Sequence, residues 1–199
     1  MPVTRERFEQ GLTYDEFTAR MTRNQERFAA SEAAVALDAD DLAAFRRLPQ
    51  ALNVLVLAED WCGDVIDNLP VLGRLAEASG KLNVRIFLRN ANPDLMDQYL
   101  NQGQFRSIPV FAFFDEHFNA LGHFIERPQS VTQARAARRA AIYAAHPEFG
   151  APDTPVANLP EEARVRLTEA LASARSEAKP AENAAVVRAL RDIVEGARV

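Results

Sequence analysis

Two apolar runs on either side of a long helical stretch constrain the fold of this chain most. Residues 53–58 and 84–88 are almost entirely apolar, which is typical of strands buried on both faces of a sheet. The stretch between them has a helical pattern up to Ser79, and Gly80 follows as a helix-ending residue. A strand, a helix and a second strand in this order predict a parallel pair of strands in a sheet covered by helices.

The remainder of the chain adds a hairpin and further helices. Residues 109–114 and 120–126 have strand patterns and are separated by a five-residue turn, so they are expected to pair antiparallel. Helices are predicted over 14–30, where Thr13 and Glu16 match a capping box, and over 40–48, 94–101, 131–145, 160–176 and 181–196. The predicted fold class is therefore α/β, with a mixed central sheet flanked by helices.

The chain has 199 residues, of which 48% are hydrophobic, and this suits one domain with an added helical lobe. We predict an N-terminal helical extension over 1–49 and an α/β domain over 50–146. A linker and a C-terminal helical extension are predicted over 147–199, because residues 147–155 are rich in turn-forming proline and glycine.

Charge and composition exclude several classes of partner. The net charge is −5, with 28 acidic and 23 basic residues spread along the chain, so neither nucleic acid nor a membrane surface is an expected partner. The longest apolar runs are about five residues, against the roughly 20 that span a bilayer. No metal site is expected, because the three histidines are isolated from one another and from the cysteine: His117, His123 and His146.

The last predicted helix carries an apolar stripe formed by Val187, Leu190 and Val194. This stripe either packs against the chain's own domain or forms a homodimer surface. Packing within the chain is the simpler interpretation, and the sequence leaves the homodimer open.

Cys62 is the only cysteine, and it lies between a buried strand and a helix. A helix N-terminus offers unpaired N–H groups and about half a unit of positive charge, which favour the thiolate. Three neighbouring acids, Glu59, Asp60 and Asp64, oppose this effect, so the expected activation is modest at most. The single cysteine and the lack of a visible secretion signal lead us to expect a reducing, cytoplasmic location.

The segment around this cysteine resembles the active-site segment of the thioredoxin family. In that family a Trp-Cys-Gly sequence is followed, within the same helix, by a proline. Trp61, Cys62, Gly63 and Pro70 occupy those places here. The resemblance implies a thioredoxin-like fold over residues 50–146 and a functional role for the thiol.

A second segment supports the same resemblance. Ile108 and Pro109 are similar to the family's loop in which a cis-proline faces the cysteine, and Pro109 follows Cys62 by 47 residues. The resemblance implies that Ile108 and Pro109, with Trp61 and Gly63 beside them, bind the extended segment of a partner. The later residues 126–128, Glu-Arg-Pro, are similar to a bacterial branch of thioredoxin-like proteins that often carries Trp-Cys-Gly-Asp-Cys.

The sequence departs from the family at the position of the resolving cysteine, which is Val65 here. Without a second thiol, a mixed disulfide on Cys62 can be resolved only by a thiol from outside the chain. The strand over 53–57 also lacks the buried acid that assists proton transfer in thioredoxin. Glu59 and Asp60 are the candidate substitutes for that acid, although both are expected in the loop.

Two functional hypotheses remain. The first is a monothiol thiol–disulfide oxidoreductase in which Cys62 is the catalytic nucleophile and protein or small-molecule disulfides are the substrates. It needs no bound cofactor, but it uses glutathione or another low-molecular-weight thiol as co-substrate. The second is a redox-inactive binding or assembly protein that keeps the partner groove, meaning the surface formed by Trp61, Gly63, Ile108 and Pro109 around Cys62. The valine at position 65 favours the second hypothesis, whereas the retention of Trp61, Cys62 and Pro109 together favours the first.

Overall fold

A computed structural model of the protein describes residues 3–152 and 155–196. Its central sheet has four strands: β1 (Leu52–Ala58), β2 (Leu82–Leu88), β3 (Val110–Phe114) and β4 (Ala120–Ile125). The strand order is β2-β1-β3-β4, with β1 parallel to β2 and antiparallel to β3, and with β3 and β4 forming the hairpin. The predicted α/β fold with a mixed sheet is confirmed.

Helices flank and extend this sheet. In chain order they are α1 (Arg5–Glu9), α2 (Tyr14–Arg20), α3 (Gln25–Ala33), α4 (Ala39–Arg46), α5 (Gly63–Ser79), α6 (Pro93–Met96), α7 (Gln129–Ala145) and α8 (Glu161–Gly196). The capping box of Thr13 and Glu16 is present at the start of α2, and Gly80 ends α5 in the left-handed conformation. None of the described helices combines the length and the apolar character that a membrane crossing requires.

The chain divides into two compact units. The first contains the residues up to Pro128 together with those from Asn183 onwards, and the second contains Gln129–Glu182. The division of the sequence into 1–49, 50–146 and 147–199 stays a prediction.

In the first unit every residue of β1 is buried, because this strand lies between β2 and β3 and is covered on both faces. The C-terminal part of α8 belongs to the same core. Val187, Leu190 and Val194 are buried there with residues of the sheet, so the apolar stripe predicted for the last helix packs within the chain.

In the second unit an apolar cluster joins the end of α7 to the start of α8, and its members are Tyr143, Phe149, Leu159, Ala163 and Leu167. The buried carboxylate of Glu182 accepts hydrogen bonds from Arg135 and Arg138 on α7.

Two predicted helices, 160–176 and 181–196, are wrong, because α8 runs unbroken through Pro180. Proline lacks the N–H of one helical hydrogen bond and costs about 3 kcal/mol inside a helix. The alanine, glutamate and lysine residues on both sides are strong helix formers that favour continuation.

The single helix predicted over 14–30 is also wrong, because it is broken between α2 and α3. The carboxylate of Asp60 accepts hydrogen bonds from the N–H groups of Thr22 and Arg23, at 2.7 and 3.1 Å, and from the Thr22 hydroxyl at 3.0 Å. Asn24 adopts a left-handed φ of 57° and donates its side-chain amide to the Asp60 carbonyl at 2.8 Å. The loop after β1 therefore fixes the break, and it overrides the helical periodicity of the local sequence.

We expect the substitution Gly73→Ala to destabilise the first unit. A Cβ atom at Gly73 would lie 2.5 Å from the ring of Tyr14, whose hydroxyl donates to Glu32 at 2.7 Å. Overpacking of this kind costs about 1–3 kcal/mol, more than the roughly 1 kcal/mol that alanine gains over glycine in a helix. Urea denaturation measures the difference. In a Y14A background the sign should reverse, and an equal loss in both backgrounds would show that the ring contact is not the cause.

The Asp60 carboxylate should make stability depend on pH. Burial raises the pKa of Asp60, but the hydrogen bonds from Thr22 and Arg23 lower it by more, so the net pKa is below its ordinary value. A carboxylate with a lowered folded-state pKa stabilises the protein above its unfolded pKa of about 3.9, and this contribution is lost as the pH falls through the folded value. The melting temperature of the wild type should therefore exceed that of D60N at pH 6, and the gap should shrink below about pH 4. If the difference in melting temperature between the wild type and D60N does not change with pH, the lowered pKa of Asp60 is contradicted.

Candidate functional site

Cys62 occupies the N-cap position of α5, without a capping hydrogen bond from its side chain, and is half-buried. Its thiol donates to the carbonyl oxygen of Ile108, with 3.4 Å between Sγ and the oxygen. The Ile108–Pro109 peptide bond is cis. The structure thus brings together the cysteine and the proline loop that lie 46 residues apart along the chain.

Trp61 and Gly63 lie on either side of the cysteine. Gly63 is the first residue of α5, and Trp61 is 40% exposed. The guanidinium of Arg89 lies over the indole ring, 4.9 Å from its centroid, and also donates to the Arg106 carbonyl at 3.1 Å. Arg89 therefore contacts both Trp61 and the segment that precedes the cis-proline, at Arg106.

The electrostatic environment of Cys62 disfavours the thiolate. Burial is the largest influence and raises the pKa of the thiol. The nearby backbone N–H groups of Val65 and Asp64 lower it, while the carboxylates of Asp64 and Glu126 raise it again. The net pKa is above the ordinary value, so burial outweighs the helix terminus at this sulfur.

A charged network missed by the sequence analysis lies beside the cysteine. Arg127 donates through Nε and Nη2 to the two carboxylate oxygens of Asp64, at 3.0 and 2.8 Å. Its Nη1 donates to Glu126 at 2.7 Å. The available signal was the Glu-Arg-Pro segment over 126–128, which carried a resemblance but gave these side chains no role.

Glu126 connects this network to the proline loop. Its backbone N–H donates to the Pro109 carbonyl at 2.7 Å, and its own carbonyl accepts from the Asn68 side chain on α5 at 2.8 Å. Its carboxylate also accepts from the Asn101 side chain at 3.1 Å. Glu126 holds a left-handed φ of 63°, which no local sequence pattern predicts for a glutamate. Glu126 therefore links α5, the helix that begins after Cys62, to the proline loop.

The acids named as substitutes for the family's buried acid are engaged elsewhere. Glu59 is buried and accepts the N–H of Asn90 at 2.8 Å, while Asp60 binds the Thr22 segment. Asn53 on β1 donates its amide to the Asp115 carbonyl at 3.0 Å. Glu59 and Asp60 thus stabilise loops around the site.

Val65, at the place of a resolving thiol, is fully buried. Its backbone N–H lowers the pKa of the Cys62 thiol, while its apolar side chain belongs to the core of the first unit. Among residues 3–152 and 155–196, no three His, Cys, Asp or Glu side chains are grouped so as to hold a metal ion.

A family model described as thioredoxin matches residues 11–140. Among solved structures, a Pseudomonas aeruginosa protein of unknown function aligns with a TM-score of 0.61 and 22% identity, over 86% of this chain and 96% of that chain. An HIV epitope-scaffold protein aligns with a TM-score of 0.61 and 21% identity, over 95% of each chain. These two likenesses concern the fold alone. No curated protein matches the chain.

The raised pKa predicts a slow thiol. Since Cys62 is the only cysteine, alkylation by iodoacetamide reports on it alone. We expect its alkylation rate at pH 7 to be lower than that of an unstructured cysteine peptide. The rate should keep rising above about pH 8.5, the ordinary midpoint of a cysteine, because the midpoint of Cys62 is higher. Rates measured from pH 6 to 10 by mass spectrometry test this. A midpoint below that of the peptide would mean that the helix terminus dominates.

Proposed function

This chain belongs to the thioredoxin family, and from that membership we propose that it acts as a monothiol thiol–disulfide oxidoreductase with Cys62 as the nucleophile. One observation carries the proposal: the Cys62 sulfur lies at the start of α5, 3.4 Å from the carbonyl that precedes the cis-proline. A disulfide lying in this groove would meet the sulfur at the end of a helix, where the N–H groups of Asp64 and Val65 can stabilise a thiolate.

The first step is attack by the Cys62 thiolate, after its proton has passed to solvent, on one sulfur of a substrate disulfide. A new disulfide forms between Cys62 and that sulfur, and the other substrate sulfur leaves as a thiolate that takes a proton from water. An external thiol such as glutathione then attacks the mixed disulfide, forms a disulfide with the sulfur it attacks and releases Cys62. The external thiol is therefore the reductant, and no bound cofactor is required.

Recognition of the substrate is assigned to the groove. The backbone of Ile108 and Pro109 would pair with an extended partner segment, and the exposed face of Trp61 would cover its side chains. Gly63 leaves the space beside the sulfur clear of a side chain. A supply of reduced external thiol is typical of a cytoplasmic compartment, which is the location this mechanism implies.

The electrostatics favour a second candidate, a redox-inactive binding or assembly protein that uses the same groove. A cysteine with a raised pKa has less than the few per cent of thiolate that an ordinary cysteine holds at pH 7. Glu59 and Asp60 are hydrogen-bonded to other groups, so they do not offer a base to the thiol. In this alternative Cys62 contributes packing and the hydrogen bond to Ile108 without turnover.

Incubation with oxidised glutathione separates the two candidates. An oxidoreductase should gain one glutathionyl group at Cys62, seen by intact mass, and should lose it when reduced glutathione is added. The variant Val65→Cys supplies an internal thiol at the family's resolving position. In V65C the introduced thiol should expel glutathione and leave an intramolecular disulfide with Cys62, so the mixed disulfide should not accumulate.

The matched control is V65A, which shortens the same buried side chain without adding a thiol. It should keep the mixed disulfide of the wild type. A wild-type protein that gains no glutathionyl group over hours at pH 8, while a cysteine peptide reacts, would overturn the oxidoreductase proposal and leave the binding protein.

A further inference from the structure

We propose that Arg127 is a positioning residue of the Cys62 site, which acts by holding the Asp64 carboxylate in a two-point ion pair beside the sulfur. The catalytic consequence rests on the proposed function. The effect on the thiol itself does not, because it follows from the charges around the sulfur whether or not the protein turns over.

The geometry of the pair is that of a strong and specific ion pair. Two guanidinium nitrogens meet two carboxylate oxygens at 3.0 and 2.8 Å. The side chains of Arg127 and Asp64 are only 22% and 14% exposed. Bidentate pairs shielded from water are stronger and better oriented than exposed pairs. This pair therefore fixes where the Asp64 charge lies.

The position of Asp64 makes this pairing relevant to the thiol. Asp64 follows Cys62 by two residues and lies in the first turn of α5. Its carboxylate acts against the thiolate, and so does the carboxylate of Glu126, which directly follows β4. Arg127 contacts both carboxylates, so one guanidinium offsets the two charges that face the sulfur from two different elements.

The same arginine also links the cysteine helix, α5, to the cis-proline loop. Through Asp64 it reaches the helix that carries Cys62. Through Glu126, whose N–H donates to the Pro109 carbonyl, it reaches the cis-proline loop. An arginine in this place maintains both the local charge and the separation between sulfur and loop.

The test is the pH dependence of Cys62 alkylation in R127M, D64N and the double variant R127M/D64N. In R127M the two carboxylates lose the guanidinium that pairs with them, so the alkylation midpoint should rise. The rate at pH 8 should fall by about three- to tenfold, the change expected for a half to one pKa unit. D64N should move the midpoint down. In the double variant the slowing should be partly reversed, because one of the two charges that Arg127 offsets is gone.

The control is R74M, which removes an arginine that pairs with Glu77 on the exposed face of the same helix. It should leave the midpoint at the wild-type value. A folded R127M with the wild-type midpoint, or a double variant as slow as R127M, would overturn the proposal. Circular dichroism monitors folding. If R127M does not fold, R127K and D64N provide the test instead. R127K keeps the positive charge but loses the two-point geometry. An unchanged alkylation midpoint in both variants would also overturn the proposal.

Failure of the proposed function is distinguishable from failure of this inference. A wild type that forms no mixed disulfide with oxidised glutathione, together with a raised midpoint in R127M, rejects the oxidoreductase and keeps Arg127 as the residue that positions Asp64. If the wild type forms the mixed disulfide and the alkylation midpoints of all variants are equal, the oxidoreductase is kept and the role of Arg127 is rejected.

Discussion

The antiparallel register of β1 and β3 is the constraint on which the site depends. Leu57 pairs with Val110, so the end of β1 and the start of β3 lie at the same edge of the sheet. Cys62 follows β1 after a short loop, and Pro109 immediately precedes β3. A shift of this register by one residue would turn buried side chains to the opposite face and would move the proline loop away from the cysteine. The buried sheet therefore determines the distance between sulfur and carbonyl.

Much of this architecture is encoded locally. The strands were predictable because β1 is buried on both faces and so is apolar throughout, and α5 ends at a glycine with a left-handed φ. The cysteine and the proline loop were predictable because each belongs to a short motif with a fixed place between those elements. The order of the elements then fixes the topology of the sheet.

The features that sequence reasoning missed depend on contacts between distant residues. The break between α2 and α3 is made by Asp60, 38 residues from Thr22, so helical periodicity could not reveal it. The pairing of Arg127 with Asp64 spans 63 residues, and the residue before Arg127, Glu126, has a left-handed backbone. Burial of the Cys62 thiol reverses the effect of the helix terminus because the surrounding fold, absent from a one-dimensional pattern, excludes water from the sulfur.

The path of α8 has a consequence for biosynthesis. Its final turns complete the hydrophobic core of the first unit, yet Gln129–Glu182, which belong to the other unit, come before them in the chain. A ribosome that has already delivered all four strands and the cysteine helix has not yet delivered Val187, Leu190 and Val194. Until those residues emerge, the nascent sheet keeps an uncovered apolar surface, which is the kind of surface that molecular chaperones bind.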